Sequence, residues 1–221
     1  KQQVTTMKEA MLYSRQADGV VVCSLCHHRC TIRPGQVGIC QVRENRDGAL
    51  YSLVYGKLIA RHIDPIEKKP LFHFYPGSIS YSIATVGCNF RCVWCQNYSI
   101  SQMVRDHGEI EGADAAPEEI VAEAVRRRCK TISYTYTEPT IFAEYACDVG
   151  RLAHEAGIKN VWVSNGYMTP DALEAIALYL DAINVDLKSL NPETYRKMMG
   201  AKLEGVLETL RLFRPHKIWL E

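Results

Sequence analysis

The run Cys88-Asn-Phe-Arg-Cys92-Val-Trp-Cys95 carries three cysteines whose type and spacing can do chemistry. Three thiolates spaced C-x3-C-x2-C hold three irons of a four-iron cluster and leave the fourth iron without a protein ligand. A structural zinc ion is closed by four ligands, and four-iron clusters are ordinarily held by four cysteines. The missing ligand therefore marks a cluster that reacts at its open iron. A three-cysteine fragment of a zinc site would need a fourth ligand that the neighbouring sequence does not supply. Residues 81–86 read as a buried strand ahead of this run, and Gly87 turns the chain at the strand's end.

A second group lies near the N-terminus. Cys23, Cys26, Cys30 and Cys40 form C-x2-C-x3-C-x9-C, with His27, His28 and the turn Pro34-Gly35 interleaved. Four thiolates suit a closed tetrahedral zinc site, and an auxiliary iron–sulfur cluster would suit an enzyme that moves electrons. Either would stabilise a segment with few long apolar runs. Cys129 and Cys147 fall on helical or helix-end positions and read as ordinary buried thiols. Nine cysteines grouped in this way point to metal sites in a reducing cytoplasm rather than to a disulfide scaffold.

The elements that must position these groups follow from periodicity. Beyond residue 81, β-rich runs at 131–136, 160–164, 182–187 and 217–220 alternate with helical patterns at 117–127, 141–156, 170–179 and 204–213. Such alternation means a parallel sheet with right-handed crossovers, either an open sheet or a barrel. Ligands then gather at the carboxyl ends of the strands. In the fourth run, alternation places Asn184, Asp186 and Lys188 on one face, where buried polar groups must be paired. Asp186 and Lys188 line a pocket or form a plain salt bridge. The same rule puts Tyr134 and Tyr136 on a shared face as filling. Residues 99–116 look like a polar loop that could serve as a lid. Lys68 and Lys69 read as solvated lysines in a strap, contact with an anionic substrate being the alternative. Residues 1–80 form a Cys-rich metal-binding arm and strap, and 81–221 the α/β unit. The 221 residues carry a formal charge of +1, which gives no reason to expect nucleic-acid binding. No apolar run is long enough for a membrane span, and no signal peptide is visible.

The segment Gly87-Cys-Asn-Phe-Arg-Cys-Val-Trp-Cys-Gln-Asn97 resembles the signature of the radical S-adenosylmethionine (SAM) enzymes, most nearly the branch of the pyruvate formate-lyase activating enzymes. Asp64-Pro-Ile-Glu-Lys-Lys-Pro-Leu71, His73-Phe74 and Cys95-Gln-Asn97 resemble the AmmeMemoRadiSam subgroup. The resemblance runs from about Val22 to the C-terminus. It implies a partial (β/α)6 TIM-like barrel and a [4Fe-4S] cluster whose open iron binds SAM. A low-potential electron donor would drive cleavage to a 5′-deoxyadenosyl radical. The enzyme would be an oxidoreductase whose radical takes hydrogen from a small molecule or a protein, a glycyl residue of a partner being the activating-enzyme case. Trp94 would face the adenine or cover the cluster, and Glu138 would hold the methionine amino group. Asn165 would meet the cofactor's ribose or carboxylate, or merely stabilise an Asn-Gly turn. Lys188 would neutralise the methionine carboxylate, and Asp186 would bind ribose or a substrate amide. Threonine at 137 replaces a family glycine. Five strands where six are expected suggest truncation after the fifth. The rival class is a non-catalytic iron–sulfur or zinc protein for electron transfer or binding.

Overall fold

The computed structural model describes residues 7–221. Six strands form the central sheet and stand in chain order: β1 Ala60–Pro65, β2 Ile79–Ala84, β3 Thr131–Tyr134, β4 Lys159–Ser164, β5 Ala182–Val185 and β6 Trp219–Leu220. β2 to β6 run parallel, and β1 pairs antiparallel with β2 along its whole length. Among the described residues the sheet is open, with β1 and β6 as its edges, and no barrel closes. β2 and β3 are buried almost throughout, as strands covered on both faces are.

Helices α1 Pro117–Arg126, α2 Ala143–Glu155, α3 Pro170–Ala177 and α4 Leu203–Leu212 make the crossovers. α1 and α3 open on proline, whose missing N–H is no loss in a first turn. The Thr169 hydroxyl caps α3 by accepting from the Ala172 N–H at 3.2 Å. α2 buries Tyr145, Val149 and Ala153 along one stripe, and Gly157 stops it in a left-handed conformation at φ +74°. These crossovers bring the loops 85–97, 135–142, 165–169 and 186–191 to the carboxyl edge of the sheet.

The strap between β1 and β2 folds back over β4 and β5, where Ile66, Leu71 and Phe74 pack on Val161 and Ala182. This corrects the reading of Lys69 as a solvated lysine; Lys68 is exposed as expected. Lys69 is 1% exposed, donates to Asp64 Oδ2 at 2.7 Å and stands 4.5 Å above the Tyr136 ring. The Tyr136 hydroxyl donates to the same carboxylate, and Lys68, whose side chain is mostly solvent-exposed, donates to Asp64 Oδ1 at 2.8 Å. A carboxylate with three donors is a well-satisfied buried charge. Glu221 fixes the strap's far end, its carboxylate accepting from the Phe72 and His73 N–H groups at 2.8 and 3.0 Å.

The N-terminal region is built from two small antiparallel sheets, Tyr13–Arg15 with Val21–Cys23 and Thr31–Ile32, and Lys8–Glu9 with Ala49–Ser52 and Arg43–Arg46. It shares one apolar core with the main sheet, joining Val21, Leu25 and Val42 to Ile141 and Val149. A buried ion pair, Arg43 Nη1 to Glu144 Oε1 at 2.8 Å, ties it to α2.

Three other expectations are corrected. Residues 99–116 are not a free loop. They contain helices Tyr98–Ser101 and Met103–His107 and the strand Ala113–Asp114, which pairs with Lys57–Leu58, and the Tyr145 hydroxyl donates to the Ala115 carbonyl at 3.0 Å. A segment bonded this way is docked rather than poised as a lid. β3 stops at Tyr134, and Tyr136 takes a left-handed φ of +63°. The two tyrosines therefore have separate surroundings: Tyr134 packs beside Phe142 and Trp162, whereas Tyr136 reaches Asp64. β5 stops at Val185, where the Leu187 N–H turns back to the Val185 carbonyl at 2.9 Å, so Asp186 and Lys188 lie in the loop beyond.

Candidate active site

The cysteine loop starts at Gly87, whose φ is +97°. A Cβ at this position would come within 2.7 Å of Val42 Cγ1 and 3.2 Å of the Cys40 carbonyl oxygen, so only glycine fits. The loop is then held from four sides. The Arg91 and Val93 N–H groups donate to the Met199 and Met198 carbonyls at 2.8 and 3.1 Å. Gln102 Nε2 donates to the Phe90 carbonyl at 3.0 Å, and His28 Nε2 donates to the Asn89 carbonyl at 2.8 Å. Asn165 Nδ2 donates to Asn89 Oδ1 at 2.7 Å, and buried Phe90 packs on Tyr167 and Tyr195. Asn97 Nδ2, just past the last cysteine, donates to the Tyr136 carbonyl at 2.9 Å.

Cys88, Cys92 and Cys95 share one apolar cluster with Phe90. The Phe90 N–H donates to Cys88 Sγ at 3.4 Å, and Cys95 Sγ lies 3.3 Å from Ser101 Oγ. Burial pushes Cys92 up to about 11 and Cys88 well above the ordinary thiol value, with nearby Glu138 adding to the rise at Cys88. Three soft donors in an apolar, hydrogen-bonded loop are costly as thiolates alone and favourable around iron, which deprotonates its thiols outright. The donor set therefore fits an iron–sulfur cluster. Among the described residues, no three His, Cys, Asp or Glu side chains close on a single ion.

The strand-end loops bring four further groups to this place. Glu138, 2% exposed, accepts from the Thr140 N–H, Thr140 Oγ1 and Ser164 Oγ at 3.1, 2.6 and 2.7 Å through Oε1. Its Oε2 accepts from the Asn165 N–H at 2.8 Å and retains a free lone pair. Burial raises the Glu138 carboxyl above its ordinary value, against the pull of these donors. Asn165 is buried, with Oδ1 accepting from the Tyr167 N–H at 3.0 Å, so its amide braces the cluster loop and its own turn. Lys188 and Asp186 form a salt bridge at 3.0 Å. Burial works against the Lys188 charge, but Asp186 and the Cys92 and Cys88 sulfurs together hold its ammonium above the ordinary value. Trp94 is the outlier, 48% exposed on the rim.

Cys88, Cys92, Glu138, Asp186 and Lys188 thus share one electrostatic neighbourhood. Sequence reasoning missed Thr140, whose backbone and hydroxyl both serve Glu138. It also missed the bracing by Asn89 and Asn97, although both stand inside the quoted motif. His28 was visible only as a residue interleaved among cysteines.

The sequence profile of the radical SAM superfamily matches residues 82–220. An uncharacterised protein of Methanocaldococcus jannaschii is 47% identical over 215 residues, which is 97% of this chain and 63% of that protein. The probable GTP 3′,8-cyclase of Thermococcus kodakarensis is 29% identical over 143 residues, 61% of this chain and 44% of that protein. The chain therefore spans less than two thirds of the length of either relative. A solved structure of TYW1 with a lysine–pyruvate adduct bound aligns with 64% of this chain and 54% of its own, at 20% identity and a TM-score of 0.45. No helix among the described residues is long and apolar enough to cross a membrane. The matched region starts within β2, contains the whole cysteine loop and every strand-end loop around it, and runs to β6. With its [4Fe-4S] cluster and S-adenosylmethionine as cofactors, the chain belongs to the radical SAM superfamily.

Proposed function

We propose that this chain is the radical-generating part of an activating-enzyme-like oxidoreductase of the AmmeMemoRadiSam kind, built on a partial (β/α)6 barrel. Cys88, Cys92 and Cys95 would hold the cluster by three of its irons and leave it able to bind SAM. The chemistry supplied at that centre is one-electron cleavage of SAM to methionine and a 5′-deoxyadenosyl radical, which takes hydrogen from a C–H bond. A low-potential donor supplies the electron.

The chain's own residues bind and orient the cofactor. Glu138 Oε2, with its one free lone pair, accepts from an N–H of the methionine amino group. Lys188 neutralises the methionine carboxylate, and its pairing with Asp186 leaves the remaining Asp186 oxygen for a ribose hydroxyl or a substrate amide. Asn165 acts by holding Asn89 and therefore the loop. Exposed Trp94 closes over the adenine. The observation that carries this reading is that one buried carboxylate, Glu138, and one ammonium, Lys188, both come to the carboxyl edge of the sheet beside the cysteine loop, Glu138 being joined to it through Asn165 and Asn89 at 2.8 and 2.7 Å. Such a pair is complementary to an amino acid ligand.

The substrate we carry forward is a glycyl residue of a partner protein, as in the activating enzymes. Substrate-free cleavage of SAM tests the reading without needing that partner. The anaerobic, reduced protein releases 5′-deoxyadenosine and Cys92→Ala does not. A fully loaded cluster that releases none would favour an electron-transfer protein.

A further inference from the structure

The four N-terminal cysteines play no part in the proposed reaction. Cys23, Cys26, Cys30 and Cys40 nevertheless line a single cavity, together with His28 and Arg43. Cys26 lies close enough to the other three sulfurs to feel their charge, and Cys40 feels Cys23 and Cys30. A zinc ion with Zn–S bonds of about 2.3 Å would draw four sulfurs to within about 4 Å of one another. Among the described residues no three such ligands gather on a point, so these sulfurs stand around a space.

Arg43 and Ile39 line that space. Arg43 is 2% exposed, and its Nε and Nη1 have no hydrogen-bond partner, Nη1 standing 2.8 Å from Glu144 Oε1 as an ion pair while Nη2 donates to the Met11 carbonyl. The Ile39 N–H donates to Cys30 Sγ at 3.5 Å. Buried N–H groups and a cation beside cysteine sulfur stabilise an anionic cluster and tune its potential.

The cavity also adjoins the cluster loop. His28 lines it on one side, and its Nε2 donates at 2.8 Å to the carbonyl of Asn89, the residue after Cys88. Cys26 packs into the same apolar cluster as Cys88, Cys92 and Cys95. The Tyr167 ring lies 4.9 Å from the His28 ring and 5.2 Å from Phe90, which stands between the first two cluster cysteines. Arg105 feels both Cys88 and Cys40, and its Nη2 donates to the Ile39 carbonyl at 2.7 Å. A structural ion needs no such linkage between sites.

We infer that Cys23, Cys26, Cys30 and Cys40 hold a second iron–sulfur cluster that relays electrons to the first across the His28–Asn89 bridge. This rests on the reading of Cys88, Cys92 and Cys95 as ligands of the reactive cluster. One electron enters from a low-potential one-electron donor, reduces the N-terminal cluster and passes to the cluster beside SAM, and no bond or proton changes hands between the two.

The test is metal analysis and EPR on the intact chain, reconstituted anaerobically with iron, sulfide and an equimolar supply of zinc. The wild type is expected to hold about eight irons, and the triple variant Cys88→Ala/Cys92→Ala/Cys95→Ala about four. On reduction, the wild type should show an EPR spectrum broadened by spin coupling between two clusters, and the triple variant an uncoupled spectrum. Zinc bound in place of the N-terminal irons, in wild type and triple variant alike, overturns the iron assignment. Two clusters without spin coupling overturn the relay. If the wild type and the triple variant both hold the same four irons, the N-terminal cluster stands and the reading of Cys88, Cys92 and Cys95 fails, so the two failures are told apart.

Discussion

Glu138→Gln perturbs the carboxylate that ties the loop after β3 to the end of β4. The native side chain accepts four hydrogen bonds, three at Oε1 and one at Oε2. A glutamine can keep its amide oxygen under Thr140 and Ser164, but its NH2 then meets the Asn165 N–H, donor against donor. Stranding that buried N–H costs about 1–3 kcal/mol. Burial already disfavours the native charge, so a neutral amide recovers part of this cost. The net destabilisation expected is about 1–2 kcal/mol, or roughly 2–8 °C in the unfolding midpoint of a chain this size. The ligand side is larger. Losing a charge-assisted hydrogen bond from the methionine amino group to the carboxylate, about 1.5–3 kcal/mol, weakens SAM binding roughly ten- to hundredfold. Anaerobic thermal unfolding followed by circular dichroism measures the first quantity, and calorimetric titration with SAM the second. A midpoint within about 1 °C of wild type, with affinity within about threefold, would refute both the tie and the amino-group contact.

Three further outcomes are expected. Lys69→Met leaves the buried Asp64 carboxylate short of a cation and should lower stability by about 3 kcal/mol in urea unfolding; Lys69→Met/Asp64→Asn should recover part of that loss, and a neutral effect of the single change would mean the pair is not held as described. Glu221, brought down to about 2 by the Phe72 and His73 N–H groups despite the opposing effect of burial, has a folded value below its unfolded one. Its contribution is therefore full above about pH 4.3 and is lost as pH falls toward its folded value, so the urea midpoints of wild type and Glu221→Gln should converge on acidification; a gap unchanged with pH would contradict this. Gly87→Ala forces a side chain into a left-handed turn against Val42, at about 1–3 kcal/mol, and should halve or abolish iron loading at the cluster loop by metal analysis; full loading would show that the turn tolerates a Cβ.

The chemistry of this chain was legible where it is local. Three cysteines on one turn identify a cluster site without any fold, and Pro117, Pro170 and Gly157 punctuate helices that form as read. The observed helices end within a few residues of the expected ranges. What could not be read depends on long-range contacts. β1 carries Arg61, His62 and Asp64, a polar stretch that becomes a strand only because β2 offers it an edge. Lys69 looks like any loop lysine until Asp64 and Tyr136 close around it. Tyr136 breaks the strand alternation through a backbone conformation its side chain does not advertise. Residues 99–116 look free because their partners, Gly56 and Leu58 among them, lie more than forty positions back in the chain. Glu138 was found through its place after a strand, whereas its dependence on Thr140, Ser164 and the Asn165 backbone required the folded loops.

The most direct measurement is release of 5′-deoxyadenosine. The protein is loaded anaerobically with iron and sulfide, its cluster is verified spectroscopically, and it is reduced and incubated with SAM beside Cys92→Ala. Chromatography should show 5′-deoxyadenosine from the wild type and none from the variant. Equal product from both, or none from a verified and reduced wild-type cluster, would contradict the assignment of Cys88, Cys92 and Cys95 as the ligands of a radical-generating centre.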